Sequence, residues 1–283
     1  MRSLKWSKQV LSSVACWSGA IFNAAGDILI VLLLIGLPSI GLSQTSEEVN
    51  TANNPLTPAI GVNLQDQYTA SRFGFKDSDS NTGLLRGVLP HKLFGFPQIL
   101  RATVPVVTSP DQPLGSKTGL GDINVFDVFL FKAAGMEFGV GPQFTFPSAA
   151  DDQLGTGKWQ GGGAALAIAP QSWGLVGALV TYQHSFAGDD DRPSQNGLQG
   201  QPFFIYNLPD GFYLRSTATW NFDLRQGNYY IPLGFGMGKV WKLEGGTTLN
   251  FFAEPQYTIA HDGIAPQWQI FFGLNLQFPI SKK

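Results

Sequence analysis

Hydrophobic and polar positions alternate with period two along most of the chain. In the run 212–224, Phe212, Leu214, Ser216, Ala218, Trp220, Phe222 and Leu224 mark one face, and Tyr213, Arg215, Thr217, Thr219, Asn221 and Asp223 mark the other. In 267–278, Trp268, Ile270, Phe272, Leu274, Leu276 and Phe278 alternate with Gln267, Gln269, Phe271, Gly273, Asn275 and Gln277. Successive strand side chains point to opposite faces, so this period predicts β-strands with one apolar and one polar side. Twelve such runs are predicted, at about 57–70, 83–93, 97–108, 120–132, 136–147, 159–170, 173–186, 197–207, 211–224, 228–241, 247–260 and 267–280. No segment of 44–283 reads as a long amphipathic helix.

The connections alternate in character. Polar and mostly long segments such as FGFKDSDSNT, SPDQPLGSKTG, SAADDQLGTGK and FAGDDDRPSQN take turns with tight ones such as LFGF, AAG, QS and LPD. Long loops at one end and short turns at the other are the pattern of outer-membrane barrels, and an even strand count places both termini at the short-turn, periplasmic end. The expected fold is therefore all-β: a transmembrane antiparallel up-and-down β-barrel of about 12 strands.

A soluble sandwich or lipocalin-like barrel would show the same alternation with the apolar face turned inward. Three features favour the inverted arrangement. The polar face is built from Gln, Asn, Thr, Gly and single charges rather than Lys and Glu. Aromatic residues recur near run ends (Phe212, Trp220 and Phe222; Tyr229, Tyr230 and Trp241; Trp268 and Phe278), as girdle residues do. The runs also reach the 9–11 residues that a spanning strand requires.

Composition agrees. Only 13% of the 283 residues are charged, against about 25% in ordinary soluble domains. A mean hydropathy of +0.03 is far too low for a bundle of membrane helices. A net charge of −2 provides no electrostatic footprint for nucleic acid. One Cys and three dispersed His argue against a disulfide framework and a metal site, and no cofactor motif is present.

The N-terminus carries Arg2, Lys5 and Lys8, then the apolar run Ile28–Leu37, then the small residues Gly41 and Ser43. At ten residues the run is too short to span a bilayer, which takes about 20. It reads as a signal peptide over 1–43, cut before Gln44. A membrane-anchored N-terminus is the alternative. Removal of 1–43 takes away three basic residues and one acidic residue, so the net charge moves from −2 to −4. Residues 44–56, polar and without aromatics, read as a disordered periplasmic N-terminal extension, with a short plug in the lumen as the alternative. The barrel is expected over 57–280.

Several strings occur in order and are specific: LGDIN (120–124), GVGPQFTFPSA (139–149), DDQLGTGKW (151–159), SFAGDDDRP (185–193), QPFFIYNLPDGFYL (201–214), IPLGFGMGK (231–239) and PQWQIFFGLNLQFP (266–279). Across roughly 57–280 the chain resembles the bacterial neuromedin-U-like proteins, grouped with the transporters named for the meta pathway of phenol degradation. That resemblance implies an outer-membrane barrel that passes small, often aromatic or hydrophobic, solutes by diffusion in a Gram-negative bacterium. The chain departs from the family in its long N-terminus and in the five residues that follow Phe278.

With the apolar face toward lipid, the lumen-lining candidates are Arg101, Glu137, Gln143, Arg215, Asp223, Glu254, Gln256, Gln269 and Asn275. They form either a charged constriction that selects solutes or a paired polar plug that stiffens the barrel. Two sets of small residues are also read as lumen-facing: Gly234, Gly236 and Gly238, and Gly161, Gly163, Ala165, Ala167 and Ala169. The acidic loop residues Asp151, Asp152, Asp189, Asp190 and Asp191, with Lys158 and Arg192 nearby, fit solvated extracellular loops better than a Ca²⁺ site. A barrel lipid hydrolase is the enzyme rival. It would need a Ser–His pair, and the adjacent His184 and Ser185 would point to opposite faces. The expected partners are outer-membrane lipid and lipopolysaccharide, the barrel-assembly machinery and an unidentified small solute; no nucleic acid is expected.

Overall fold

The computed structural model describes residues 44–75, 78–111 and 113–280, so the signal segment expected over 1–43 lies outside the described residues. The strands are β1 (Ile60–Phe73), β2 (Ser80–Leu93), β3 (Phe96–Thr108), β4 (Thr118–Leu120), β5 (Asn124–Ala133), β6 (Met136–Thr145), β7 (Lys158–Gln171) and β8 (Gly174–Gly188). They continue as β9 (Asn196–Asn207), β10 (Phe212–Ser216), β11 (Trp220–Asp223), β12 (Tyr229–Gly234), β13 (Gly236–Lys242), β14 (Thr248–Asp262) and β15 (Ala265–Phe278).

Three staves are interrupted, β4/β5, β10/β11 and β12/β13, so the fifteen segments form twelve staves that match the twelve predicted runs. All neighbours pair antiparallel, and β1 pairs β15 from Ile60↔Phe278 to Phe73↔Ala265, which closes the barrel. Closure removes both sheet edges and their unpaired backbone groups. Two of the tight turns explain themselves. Phe94–Gly95 and Ala134–Gly135 have positive φ at both positions (51° and 83°; 50° and 75°), the twist that suits two-residue hairpins.

The outer face is dominated by exposed apolar side chains (Leu64 is 55% exposed, Leu233 51% and Ile259 58%), with local polar pairs such as His91–Asp127 and Asn81–Asp66 among them. Near the short-turn end Lys239 lays its Nζ 4.2 Å from the Phe212 ring centroid and 5.6 Å from that of Trp241. Its ammonium thus sits among girdle aromatics, which a Lys tolerates by snorkelling.

The segment expected to be a disordered extension is ordered instead. Ser46–Asn53 forms a helix, α1, which sits inside the short-turn end of the barrel. Its first turn is closed by a capping box between Thr45 and Glu48. Val49, Ala52 and Leu56 are buried and join a core with Val128, Leu166, Ile168, Leu175 and Ile205 of the inner wall. Around this plug stands a ring of amides. Asn207 donates to the Ser46 carbonyl (3.1 Å), Asn250 and Gln277 to the Ala52 carbonyl (3.3 and 3.2 Å), and Asn50 to the Gln171 carbonyl (2.8 Å). Polarity alone made 44–56 look unfolded; three apolar side chains spaced at 49, 52 and 56 are enough to seat it once a wall surrounds them.

The plug also accounts for a second correction. In β7 the inner residues are Ala164, Leu166 and Ile168, all buried, so Gly161, Gly163, Ala165, Ala167 and Ala169 face outward. On β7 the inner wall is apolar where α1 rests on it, which reverses the apolar-out rule locally.

Candidate functional site in the barrel lumen

Above the plug, two cavities meet at a shared layer of side chains. A cavity of about 160 Å³ lies between α1 and this layer, and a second of about 280 Å³ lies on its long-loop side. Six residues line both: Arg86, Arg101, Leu179, Gln201, Thr217 and Phe271. They form the waist of the barrel.

One side of the waist is a closed polar cluster. Arg215 Nε donates to Glu254 Oε2 at 2.7 Å, and both side chains are buried (8% and 0% exposed). Glu254 also accepts from the Thr217 backbone N–H (2.9 Å), the Thr217 hydroxyl (2.8 Å) and the Gln256 amide (3.2 Å). Its acceptor positions are filled, as a buried carboxylate requires. The Arg215 guanidinium lies over the Phe252 ring, 3.5 Å from its centroid, and Phe252 packs on Phe271 at 5.0 Å.

The staves give way for this cluster. β10/β11 breaks at 217–219 and β12/β13 at Phe235, at the same height on neighbouring staves. The Thr217 N–H, freed from its ladder, is taken by Glu254 instead. Close approach explains the glycines opposite: a Cβ on Gly234 would lie 2.0 Å from Glu254 Oε1, and one on Gly238 2.2 Å from Tyr213 Cζ. Tyr213 is itself buried and donates to Asn250 Oδ1 at 2.7 Å.

The other side of the waist is different. Arg86 donates to Gln65 Oε1 at 2.5 Å, and the Arg101 guanidinium sits 4.1 Å from the Phe126 ring centroid. Among the described residues neither makes an ion pair with a carboxylate, and the buried Nε of each has no hydrogen-bond partner.

The remaining candidates fall in several places. Gln143 donates to Gln183 Oε1 (2.9 Å), Gln269 to Thr69 (3.2 Å), and Asn275 accepts from Gln65 (3.0 Å); all are on the inner face. Glu137 stands at the short-turn mouth, where it accepts from Asn54 at the end of the plug and from Lys132, both at 2.6 Å. Asp223 is not in the lumen layer: its carboxylate accepts from the backbone of Arg225 and Gln226 (2.9 and 3.2 Å) and closes the 223–228 turn.

The loop residues form a lock at the long-loop end. Lys117 pairs with Asp151, and this hydrogen bond, with one from the Gln153 backbone, holds the Asp151 carboxyl below the usual carboxylate range. Arg192 donates to the carbonyls of Asp152 (2.8 Å) and Gly155 (2.5 Å). Asp189 accepts from the Asp191 N–H at 3.1 Å, while Asp190 and Lys158 enter no ion pair among the described residues. No group of three His, Cys, Asp or Glu side chains converges among the described residues. Asp122, an inner-face residue, ties the loop down by accepting from Thr156 N (2.6 Å), Thr156 Oγ1 (2.8 Å) and Ala149 N (3.3 Å).

The hydrolase pair does not assemble. Ser185 is buried and its Oγ accepts from the Gln195 N–H at 2.9 Å, while His184 is exposed on the opposite face. His261 stacks on Phe73 at 4.0 Å with its Nδ1 3.1 Å from the Gly263 carbonyl, and His91 meets Asp127 at 3.0 Å.

Arg86 was not among the sequence candidates, and the plug stood there only as the alternative to a disordered extension. The signal for Arg86 was weak because SNTGLLRGVLPHKL does not alternate cleanly: Leu84 faces in and Leu85 out.

The fold is shared with known barrels. The chain is similar to the crystal structure of an outer membrane channel from Pseudomonas putida F1, with a TM-score of 0.59 and 16% identity over 80% of this chain and 99% of that one. It also matches the β domain of the Bordetella autotransporter BrkA (TM-score 0.42, 14% identity, covering 77% of this chain and 100% of that one). A third match is outer membrane phospholipase A from Escherichia coli (TM-score 0.37, 11% identity, 80% and 93%). No family model matches the chain, and no curated protein matches it.

Proposed function

We propose that this chain is a bacterial outer-membrane channel of the neuromedin-U-like transporter group, through which small solutes diffuse across the Arg86–Phe271 waist. The observation that carries this reading is the layered lumen: two cavities separated by a single layer of six side chains, with an apolar outer face around them. One layer of side chains is a barrier that side-chain rearrangement can open. The similarity of fold to the Pseudomonas putida channel supports the reading. In this orientation the short-turn end and α1 face the periplasm, and the locked loops meet lipopolysaccharide. Assembly depends on the barrel-assembly machinery after removal of the export signal.

A non-conducting structural barrel is the competing reading, favoured by the plug and by the saturated Arg215–Glu254 cluster. Solute flux separates the two. The chain from Gln44 onward, refolded into liposomes, is expected to release entrapped small solutes and exclude larger ones. Liposomes that stay as tight as protein-free controls would leave only the structural role.

A further inference from the structure

The two guanidinium groups of the waist that lack a carboxylate partner point to the chemistry of what passes. Arg215 is neutralised by Glu254, but among the described residues Arg86 and Arg101 form no ion pair: Asp122, which lines the cavity on the long-loop side, is taken by Thr156 and Ala149, and both arginines present a buried Nε without a partner. A guanidinium stays charged at neutral pH, and burying one without a counter-charge costs several kcal/mol. Two of them in one narrow layer repel each other as well. A merely structural layer would be more stable with both paired, as Arg215 is. Glu254 cannot serve, because Arg215, Thr217 and Gln256 already fill it.

We propose that Arg86 and Arg101 form a binding site for the carboxylate of a small organic acid, so that the waist selects organic anions. This rests on the channel reading above and names its substrate class. Planar guanidinium forks match a carboxylate in two-point geometry, which a bare ammonium does not. The surroundings suit the rest of such a molecule. Phe126, Phe271 and Leu179 supply an apolar wall beside the two charges, and Gln201 and Thr217 supply neutral polar groups. The chamber on the plug side, about 160 Å³, is close to the size of an apolar cavity of about 150 Å³ that takes up one benzene ring. An acid with one ring therefore fits, with its carboxylate on the arginines and its ring against the apolar wall.

The test is equilibrium binding of benzoate and of benzyl alcohol, a neutral probe of similar size, to the refolded barrel in detergent, followed by calorimetry. Benzoate is expected to bind about tenfold or more tightly than benzyl alcohol, because charge-assisted contacts form only with the acid. The double variant Arg86→Gln/Arg101→Gln should lose that difference, and Arg86→Lys/Arg101→Lys should keep part of it. Retention of the folded, heat-modifiable band on gels shows that each variant still forms a barrel. Equal binding of the two probes by the wild-type chain would overturn the proposal, as would a benzoate affinity unchanged in the double Gln variant. Reversal potentials keep the two readings separate. Carboxylate binding in a barrel that carries no current supports this site and removes the channel; current through a barrel indifferent to benzoate does the reverse.

Discussion

Arg215 and Glu254 meet at 2.7 Å inside the barrel, at a height where two neighbouring staves both lose their ladder. The carboxylate replaces the missing strand acceptor for the Thr217 N–H and also neutralises the arginine. Substituting Glu254→Gln leaves the guanidinium buried without a counter-charge, and the expected loss is about 3–5 kcal/mol. Urea unfolding of the refolded barrel, followed by Trp fluorescence, measures it. Replacing both residues by Leu and Met should recover most of the loss; a single variant as stable as wild type would mean that the seam is held by something else.

The glycines opposite the cluster give a sharp contrast. Gly238→Ala places a methyl 2.2 Å from Tyr213 Cζ, so overpacking by about 1–3 kcal/mol is expected. Gly163→Ala, on the outward face of β7, meets nothing closer than a carbonyl at 3.6 Å and should change stability by no more than about 0.5 kcal/mol. Equal effects at the two sites would contradict the facing assigned to β7.

Much of this architecture was legible because alternation is a direct record of which face a residue takes. Twelve runs became twelve staves, and Arg101, Gln143, Arg215, Glu254, Gln256, Gln269 and Asn275 lie on the inner face. Legibility failed where the contrast between faces vanished. The GGGAALAIA stretch of β7 is small and apolar on both sides, and its true inward residues, Leu166 and Ile168, are apolar because α1 covers them. Asp223 obeys the alternation but lies at a strand end, where turn-closing hydrogen bonds decide its direction. The plug could not be read from composition, since its seat is formed by residues far away in sequence, such as Asn207 and Asn250.

The plug itself can be removed. A chain lacking 44–56 loses α1 and Leu56 but keeps all twelve staves, and its single-channel conductance is expected to exceed that of the chain that carries them. The milder Leu56→Ala should cost about 2–5 kcal/mol at a well-packed site and give flickering, partly opened currents. Identical current traces with and without 44–56 would show that the helix does not restrict the lumen.

At the other end, Asp122→Ala removes three hydrogen bonds that hold the 146–157 loop. Faster amide exchange at Ala149 and Thr156, and new protease nicking within the loop, are expected with little change in the strands. Protection equal to that of the wild-type chain would assign the anchoring to the Arg192 contacts instead.

The most direct test of passage through the waist uses a thiol. The chain has one Cys, Cys16, which precedes Gln44, so Gln201→Cys in the chain from Gln44 carries a single thiol in the waist layer. Current is recorded across a planar bilayer before and after a bulky methanethiosulfonate reagent is added to the folded channel. Discrete conductance steps are expected beforehand, with loss of most of the current on labelling, reversed by reductant. Bilayers that show no steps, or a fully labelled channel whose current is unchanged, would contradict passage through the waist.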